Sequence, residues 1–290
     1  MKQVPGYTLV RTEDCPEQHG TLTVLTHDVS GATILLVENE DNNKAFGIGF
    51  GTFPSDDTGV FHILEHSVLA GSEKYPVTSP FLQLLKSSMA SFLNAMTFPD
   101  KTVYPFATPN ETDFRNLMDV YLNAVFCPLA MVDRAVFEQE GWHRDADGTV
   151  SGVVYNEMQG ALATPDAQLQ NALERAMFPD TAYGFVSGGD PESIPALTYE
   201  KYQRVYQRGQ LLHHPVRQDG HGRKTGNAGP RLPVPDAQDH HPPPPDGAGR
   251  AAGHLRGAAL LHRESGAGRG AVRTGLVHRC LCGPGTAAGC

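Results

Sequence analysis

Residues 58–76 read TGVFHILEHSVLAGSEKYP, and HILEH (62–66) packs two histidines and a glutamate into five positions. The segment 58–70 predicts a helix. Thr58 is placed to cap its start, Val60, Ile63, Leu64 and Val68 form an apolar stripe, and Gly71 stops it. On a helix, His62 and His66 stand at i and i+4, so both rings leave the same face about one turn apart. Two imidazoles at that spacing can hold one Zn²⁺ through bonds of about 2.0–2.1 Å. Glu65 lies beside them, where a carboxylate can take a proton from an attacking water. This is the HxxEH order, the reverse of HExxH.

The bland alternative is a solvated face carrying two histidines. The neighbours Phe61, Ile63, Leu64, Val68 and Leu69 weigh against it, because ionisable groups on a largely apolar helix are costly unless paired or metal-bound. A catalytic zinc keeps three protein ligands and one open position, so a third ligand must come from elsewhere. GVVYNEMQG (152–160) offers Glu157, a lone acid among apolar neighbours. Read without other context, Glu157 is a surface or salt-bridge acid.

Outward from this point, TLTVLTHD (21–28), ATILLVEN (32–39) and AFGIGFGT (45–52) read as strands, with SG at 30–31 and DNN at 41–43 as turns. FLQLLKSSM (81–89) reads as a helix begun by Ser79 and Pro80. SFLNAMTF and KTVYPFAT flank Pro99-Asp100 as a hairpin. Residues 111–126 form a long amphipathic helix, and helices also fit Val132–Glu140, Val153–Leu162, Asp166–Met177 and Tyr199–Gln207. The pattern predicts an α+β fold: an antiparallel-rich mixed sheet with packed helices.

Charge divides the chain. Residues 1–209 carry a net −14 and residues 210–290 a net +5. An acidic first part argues against nucleic acid, which needs a basic surface. No apolar run approaches the ~18 residues of a membrane span, so no membrane partner is expected. MKQVPGYTLV shows no apolar signal-peptide core, and the first part holds only Cys15 and Cys127, far apart. Both features suit a reducing cytoplasm without a disulfide framework. Cys127 is expected to be a small buried core residue.

The stretch GTFPSDDTGVFHILEHSVLAGSEKYPVTSPFLQLLKSSMASFLNAMTFPDKTVYPFAT (51–108) closely resembles the pitrilysin/insulinase family of zinc metallopeptidases, nearest its presequence proteases. FEQEGWH (137–143) and GVVYNEMQG resemble the same subfamily in the same order, so the resemblance covers about residues 5–208. It implies that His62, His66 and Glu157 hold one zinc ion per chain and that Glu65 is the general base. It implies further that Asn94 lies beside a peptide substrate, which adds to an edge strand by main-chain hydrogen bonds. Asn94 read alone is a turn or strand-end polar group. His143 is expected to be structural, since the family pattern does not place it on the metal. Short unfolded peptides are the implied substrates. A non-catalytic scaffold subunit of the same fold, or a small structural zinc module, is the alternative; scaffold relatives usually have broken metal motifs, whereas here all four residues stand in place.

Family members resemble a clamshell of two halves, each of two related α+β domains. Residues 1–208 are therefore read as the N-terminal zinc domain, itself incomplete and missing the C-terminal half of the same polypeptide that would help enclose substrate. Residues 209–290 differ in kind. From 210 onward they contain no Phe, Tyr, Trp, Ile or Met but 15 Gly, 9 Pro and 8 of the 13 His, a composition that predicts disorder. One choice of codons for QLLHHPVRQDGH (210–221), read one base later, yields NCYITLYGKMDM, a good strand with a turn. The same offset permits MPKTTTRPR under DAQDHHPPPP and PLYYTE under ALLHRE. A frameshift near Gln207–Gly209 explains all three; the rival is a natural basic tail for an acidic partner. His278, Cys280 and Cys282 are then an accident of the shifted frame. The sheet is expected to lose the strand that follows residue 208, leaving an open edge and little peptidase activity. A high-accuracy read of codons 200–215 is expected to show one base gained or lost; an unbroken frame there removes the frameshift explanation.

Overall fold

The computed structural model describes residues 4–77, 79–209 and 258–264. Its main sheet runs in the spatial order β1 (Tyr7–Cys15), β2 (Gly20–His27), β3 (Thr33–Asn39), β10 (Ala258–Glu264), β4 (Lys44–Gly51), β7 (Lys101–Thr108) and β5 (Phe92–Leu93), with β6 (Met96–Thr97) also on β7. All pairs are antiparallel except β10 with β3, which is parallel. A small hairpin joins β8 (His143–Arg144) and β9 (Val150–Ser151). Seven α-helices stand among the described residues: α1 (Val60–Leu69), α2 (Pro80–Ser87), α3 (Glu111–Phe126), α4 (Arg134–Glu140), α5 (Val153–Ala161), α6 (Pro165–Met177) and α7 (Tyr199–Gly209). The α+β, antiparallel-rich mixed sheet expected from the sequence is the observed class.

The core lies between the middle of the sheet and the helices. Residues of β4 alternate between buried and half-buried, so Phe46, Ile48 and Phe50 project to one face. They meet Tyr104 and Phe106 of β7, Ile63, Leu64 and Val68 of α1, and Leu117, Tyr121 and Val125 of α3. The i, i+4, i+8 spacing of the α3 residues is what lets that helix lie along the sheet. Asn110 caps α3 by accepting from the Asp113 amide, and Thr164 does the same for α6 from Ala167. No described helix is long and apolar enough to cross a membrane.

Several local expectations are corrected. Thr58 does not cap α1. The N-cap is Gly59 in the left-handed region, and the Thr58 hydroxyl turns back to Asp56. Ser79 gives no side-chain cap to α2; Pro80 alone sets that start. The helix expected from Val132 begins at Arg134, because Asp133 accepts from the Ala135 amide and fixes the first turn there. The strand expected over 91–98 is two short pieces, broken where Asn94 accepts from the Ala95 amide with its own side chain. β1 was not expected at all; all its residues between Tyr7 and Cys15 are exposed, with no alternation to read. Cys127 is half-buried at the end of α3 rather than in the core, and neither it nor Cys15 is in a disulfide.

Within the expected tail, the described residues Ala258–Glu264 are a strand. These residues form β10, in register with β3 along their whole length and with β4 over Ala258–Leu261. The sheet therefore does not lack a member at this position. The physical reason is that β3 and β4 each turn a row of backbone donors and acceptors toward the gap between them, and a strand there satisfies both rows. The rest of the expected tail, 210–257 and 265–290, including His278, Cys280 and Cys282, lies outside the described residues.

Leu117 is fully buried against this core. Leu117→Ala is expected to lower unfolding free energy by about 2–5 kcal/mol, measured by urea denaturation. A loss under about 0.5 kcal/mol would mean that α3 does not pack as described.

Candidate metal centre

Helix α1 is enclosed on nearly every side. Val60, His62, Ile63, Leu64, Glu65, Ser67, Val68 and Leu69 are all buried. Its apolar residues hold it against the sheet and α3, which leaves the face carrying His62 and His66 directed toward α4 and α5. The two rings lie 4.9 Å apart between centroids, at 79° to each other.

Helix α5 brings in Glu157. Val154 and Met158 of α5 are its buried anchors, and Glu157 projects beside them toward α1. One Glu157 oxygen lies 3.7 Å from His62 Nε2 and the other 3.6 Å from His66 Nε2. The ligand atoms of the three residues all fall within 4.8 Å of one another. Two nitrogens and an oxygen bound tetrahedrally at about 2.0–2.1 Å would stand roughly 3.4 Å apart. The two histidine–carboxylate spacings are close to this, so the donor set fits a metal ion of that size.

The histidines are oriented from behind. His62 Nδ1 is 2.9 Å from the Gly188 carbonyl oxygen, which can only accept. Nδ1 therefore carries the proton, and Nε2 presents a lone pair to the cluster. His66 Nδ1 faces a Glu140 oxygen at 3.7 Å, and the Gln139 side chain donates to the other Glu140 oxygen at 2.9 Å. Burial disfavours the charged His66 ring. Hydrogen bonding to Glu140 and the negative charges of Glu65, Glu157 and Glu140 outweigh this, so its pKa is raised above the ordinary histidine value. Glu65 itself is buried between the two histidines in the chain.

The Gly188 carbonyl is held in place by the turn before α1. Asp57 accepts from the Val186 amide at 2.8 Å and from Arg175 Nη2 at 3.1 Å, and its carbonyl accepts from the Asp190 amide at 2.8 Å. Gly59, with φ +65°, passes so close to this loop that a Cβ there would stand 2.6 Å from the Gly188 oxygen. Asp56 receives Lys201 Nζ, which ties α7 to the same turn.

The structure thus brings together His62, His66 and Glu157, with Glu65 adjacent. Asn94 is exposed and does not join the cluster; its carbonyl accepts from the Tyr121 hydroxyl and its amide donates to Pro105. The edge it belongs to does run beside α1, since Thr97 Oγ1 reaches the Phe61 carbonyl at 3.5 Å. His143 stands apart, with Nδ1 2.9 Å from the Glu138 carbonyl and Nε2 3.1 Å from Ser151 Oγ. A separate open cleft of about 760 Å³, lined in part by Arg134, Trp142, His143 and Tyr199, shares none of the cluster residues. Glu140, Asp57 and Gly188 were not singled out from the sequence. Their positions depend on how distant segments meet, and the only local signal was an acid closing a helix in FEQEGWH.

Residues 47–184 match the family described as Insulinase (Peptidase family M16). Over 215 residues the chain is 46% identical to Protein HypA of Clostridium perfringens, covering 72% of this chain and 22% of that protein. It is likewise 46% identical over 215 residues to presequence protease 1, chloroplastic/mitochondrial, of Arabidopsis thaliana, covering 72% of this chain and 20% of the relative. Mouse mitochondrial presequence protease is 42% identical over 214 residues, with coverages of 71% and 20%. The chain thus spans about a fifth of the length of these relatives. In fold it is similar to the crystal structure of pitrilysin, with a TM-score of 0.56 at 15% identity, over 88% of this chain and 22% of that one.

Glu140→Ala is expected to weaken zinc binding about 10- to 100-fold, read by competition with a chromogenic chelator near pH 8. Zinc binding is expected to weaken as pH falls, because protons compete for the ring nitrogens. The raised His66 pKa starts that loss at a higher pH than for an ordinary histidine, and Glu140→Ala should move its onset downward. An onset that does not move would detach Glu140 from His66.

Proposed function

Residues 47–184 make this chain a member of the insulinase family, peptidase family M16, and on that basis we propose that it carries the catalytic site of a zinc-dependent metalloendopeptidase acting on short unfolded peptides. The observation that carries the reading is the convergence of His62 Nε2, His66 Nε2 and the Glu157 carboxylate. These three residues hold the ion. Zinc, when bound, supplies Lewis-acid polarisation of a carbonyl and lowers the pKa of a water toward ~7. Glu65 takes the proton from the attacking water and delivers it to the leaving amine. Gly188 and Glu140 keep the two imidazoles turned toward the ion.

Asn94 has a positioning part in this reading. The short β5 and β6 pieces leave an edge beside α1, where an extended peptide adds as a further strand and draws affinity from main-chain hydrogen bonds with little demand on its sequence. Residues 1–208 form the zinc domain of this arrangement. In this reading the remainder of the longer protein helps enclose the substrate, so substantial turnover belongs to that longer protein and this chain alone is weakly active or inactive.

Purified chain is expected to bind one zinc per molecule, and a chain that takes up no zinc ends the proposal. Glu65→Gln is expected to retain zinc and lose hydrolysis of an unstructured fluorogenic peptide, whereas His66→Ala loses both. The same pair of variants is to be measured in a frame-restored, full-length gene, where turnover is expected to be substantial. Cleavage retained by the zinc-loaded Gln variant would remove Glu65 from the proton transfer.

A further inference from the structure

One short stretch of chain, residues 186–190, touches both helices that bear the metal cluster. Its Gly188 carbonyl accepts from His62 Nδ1 on α1 at 2.9 Å. The same glycine lies against α5: a Cβ there would stand 2.7 Å from Met158 Sδ and 3.6 Å from His62 Nδ1. Met158 is the neighbour of Glu157. Gly188 is thus a spacer between the helix of the histidines and the helix of the glutamate.

This stretch is a turn, closed by the Gly189 amide on the Val186 carbonyl at 2.9 Å. The bonds that fix it from outside converge on Asp57. The Asp57 carboxylate accepts from the Val186 amide at 2.8 Å and from Arg175 Nη2 at 3.1 Å, and its main-chain carbonyl accepts from the Asp190 amide at 2.8 Å. Arg175 stands on α6, which follows α5 after only residues 162–164. Asp57 itself lies just before α1, and its side chain is only 19% exposed. One carboxylate therefore joins the approach to α1, the turn that touches His62, and the helix that succeeds the one bearing Glu157. Hydrogen bonds to an ionised carboxylate are about twice as strong as neutral ones.

The histidine gives this joint a chemical consequence. A neutral imidazole has one proton, and its hydrogen-bond partners decide which nitrogen carries it. Two acceptors compete for the proton of His62: the Gly188 oxygen on Nδ1, and the Glu157 carboxylate 3.7 Å from Nε2. If Glu157 wins, Nε2 is a donor and offers no lone pair to an ion. If Gly188 wins, Nε2 is free.

We propose that Asp57 is a positioning residue for His62: by pinning the Val186 amide it keeps the Gly188 carbonyl on Nδ1, holds the proton there against Glu157, and leaves Nε2 open to a metal ion. The purpose of this device rests on the metal site proposed above, but the tautomer itself can be read without metal.

The test uses the full chain, metal-free and ¹⁵N-labelled at histidine, in long-range ¹H–¹⁵N correlation spectra at pH 8, with His62→Gln assigning the ring. The unsubstituted chain and Asp57→Asn, which keeps an oxygen for the Val186 amide, are expected to show His62 protonated on Nδ1. Asp57→Ala is expected to show the Nε2-protonated form as well, and to bind zinc about 10- to 100-fold more weakly in competition with a chromogenic chelator. An Asp57→Ala protein that keeps His62 wholly protonated on Nδ1 would overturn the proposal, whatever its zinc affinity. So would an equal change in tautomer in Asp57→Asn, since the lost charge rather than the lost acceptor would then be responsible. An unsubstituted chain that takes up no zinc ends the metal reading, and the tautomer comparison still decides the role of Asp57. Should Asp57→Ala fail to fold by circular dichroism, Asp57→Glu replaces it. That variant keeps the charge but moves the acceptor by one methylene, and a His62 tautomer unchanged in it counts against the proposal.

Discussion

A buried helix that carries two histidines and a glutamate must be given partners, and the rest of this domain is arranged to supply them. Helix α1 sits between the sheet and the other helices with His62 and Glu65 among its buried residues. An ionisable group removed from water without a partner costs several kcal/mol. The sequence nevertheless places three within one and a half turns, and both histidines meet specific groups. Gly188 receives the His62 Nδ1 proton, Glu140 faces His66, and Glu157 lies between the two Nε2 atoms.

Those partners come from three separate parts of the chain, and each is fixed by ordinary packing. Val154 and Met158 seat α5 so that Glu157 faces α1; Phe137 seats α4 so that Glu140 does. The loop bearing Gly188 is anchored in the core by Val186 and, just beyond it, by Ile194. It is held by the Asp57 carboxylate and by the close passage of Gly59, whose positive φ leaves room for nothing larger than hydrogen. The cluster is therefore pre-shaped by contacts that do not involve a metal, which is the usual condition for a site that binds an ion without first reorganising.

The sheet shows the same dependence on distant sequence. β4 is its structural centre, paired with β7 along its whole length and packed on α1 and α3 through alternate residues. Its other flank is reached only by a strand from far along the chain. This makes the middle of the sheet, rather than its edge, the place where sequence beyond α7 matters most. A domain with an unsatisfied central ladder is more exposed to mispairing than one with a frayed edge strand.

The sequence by itself determined the helix carrying HILEH, the i, i+4 placement of His62 and His66, the alternation of β4, the amphipathic α3 and hence the α+β class. These are local periodicities, and a chain must honour them wherever its apolar residues are to be buried. It also marked Glu157 as a candidate, through an acid set among apolar neighbours and through family resemblance, without showing that it reaches the histidines. Only the tertiary structure decided that Glu157 meets both Nε2 atoms, that Glu140 and Gly188 orient the rings, and that Asn94 stands apart. It also decided that Ala258–Glu264, whose composition reads as disordered, pairs between β3 and β4. These facts depend on which distant segments are brought face to face, and no spacing along the chain encodes that. Local caps such as Gly59 and Asp133 escaped for a related reason: several residues near a helix start can satisfy its free amides, and the packing on either side selects among them.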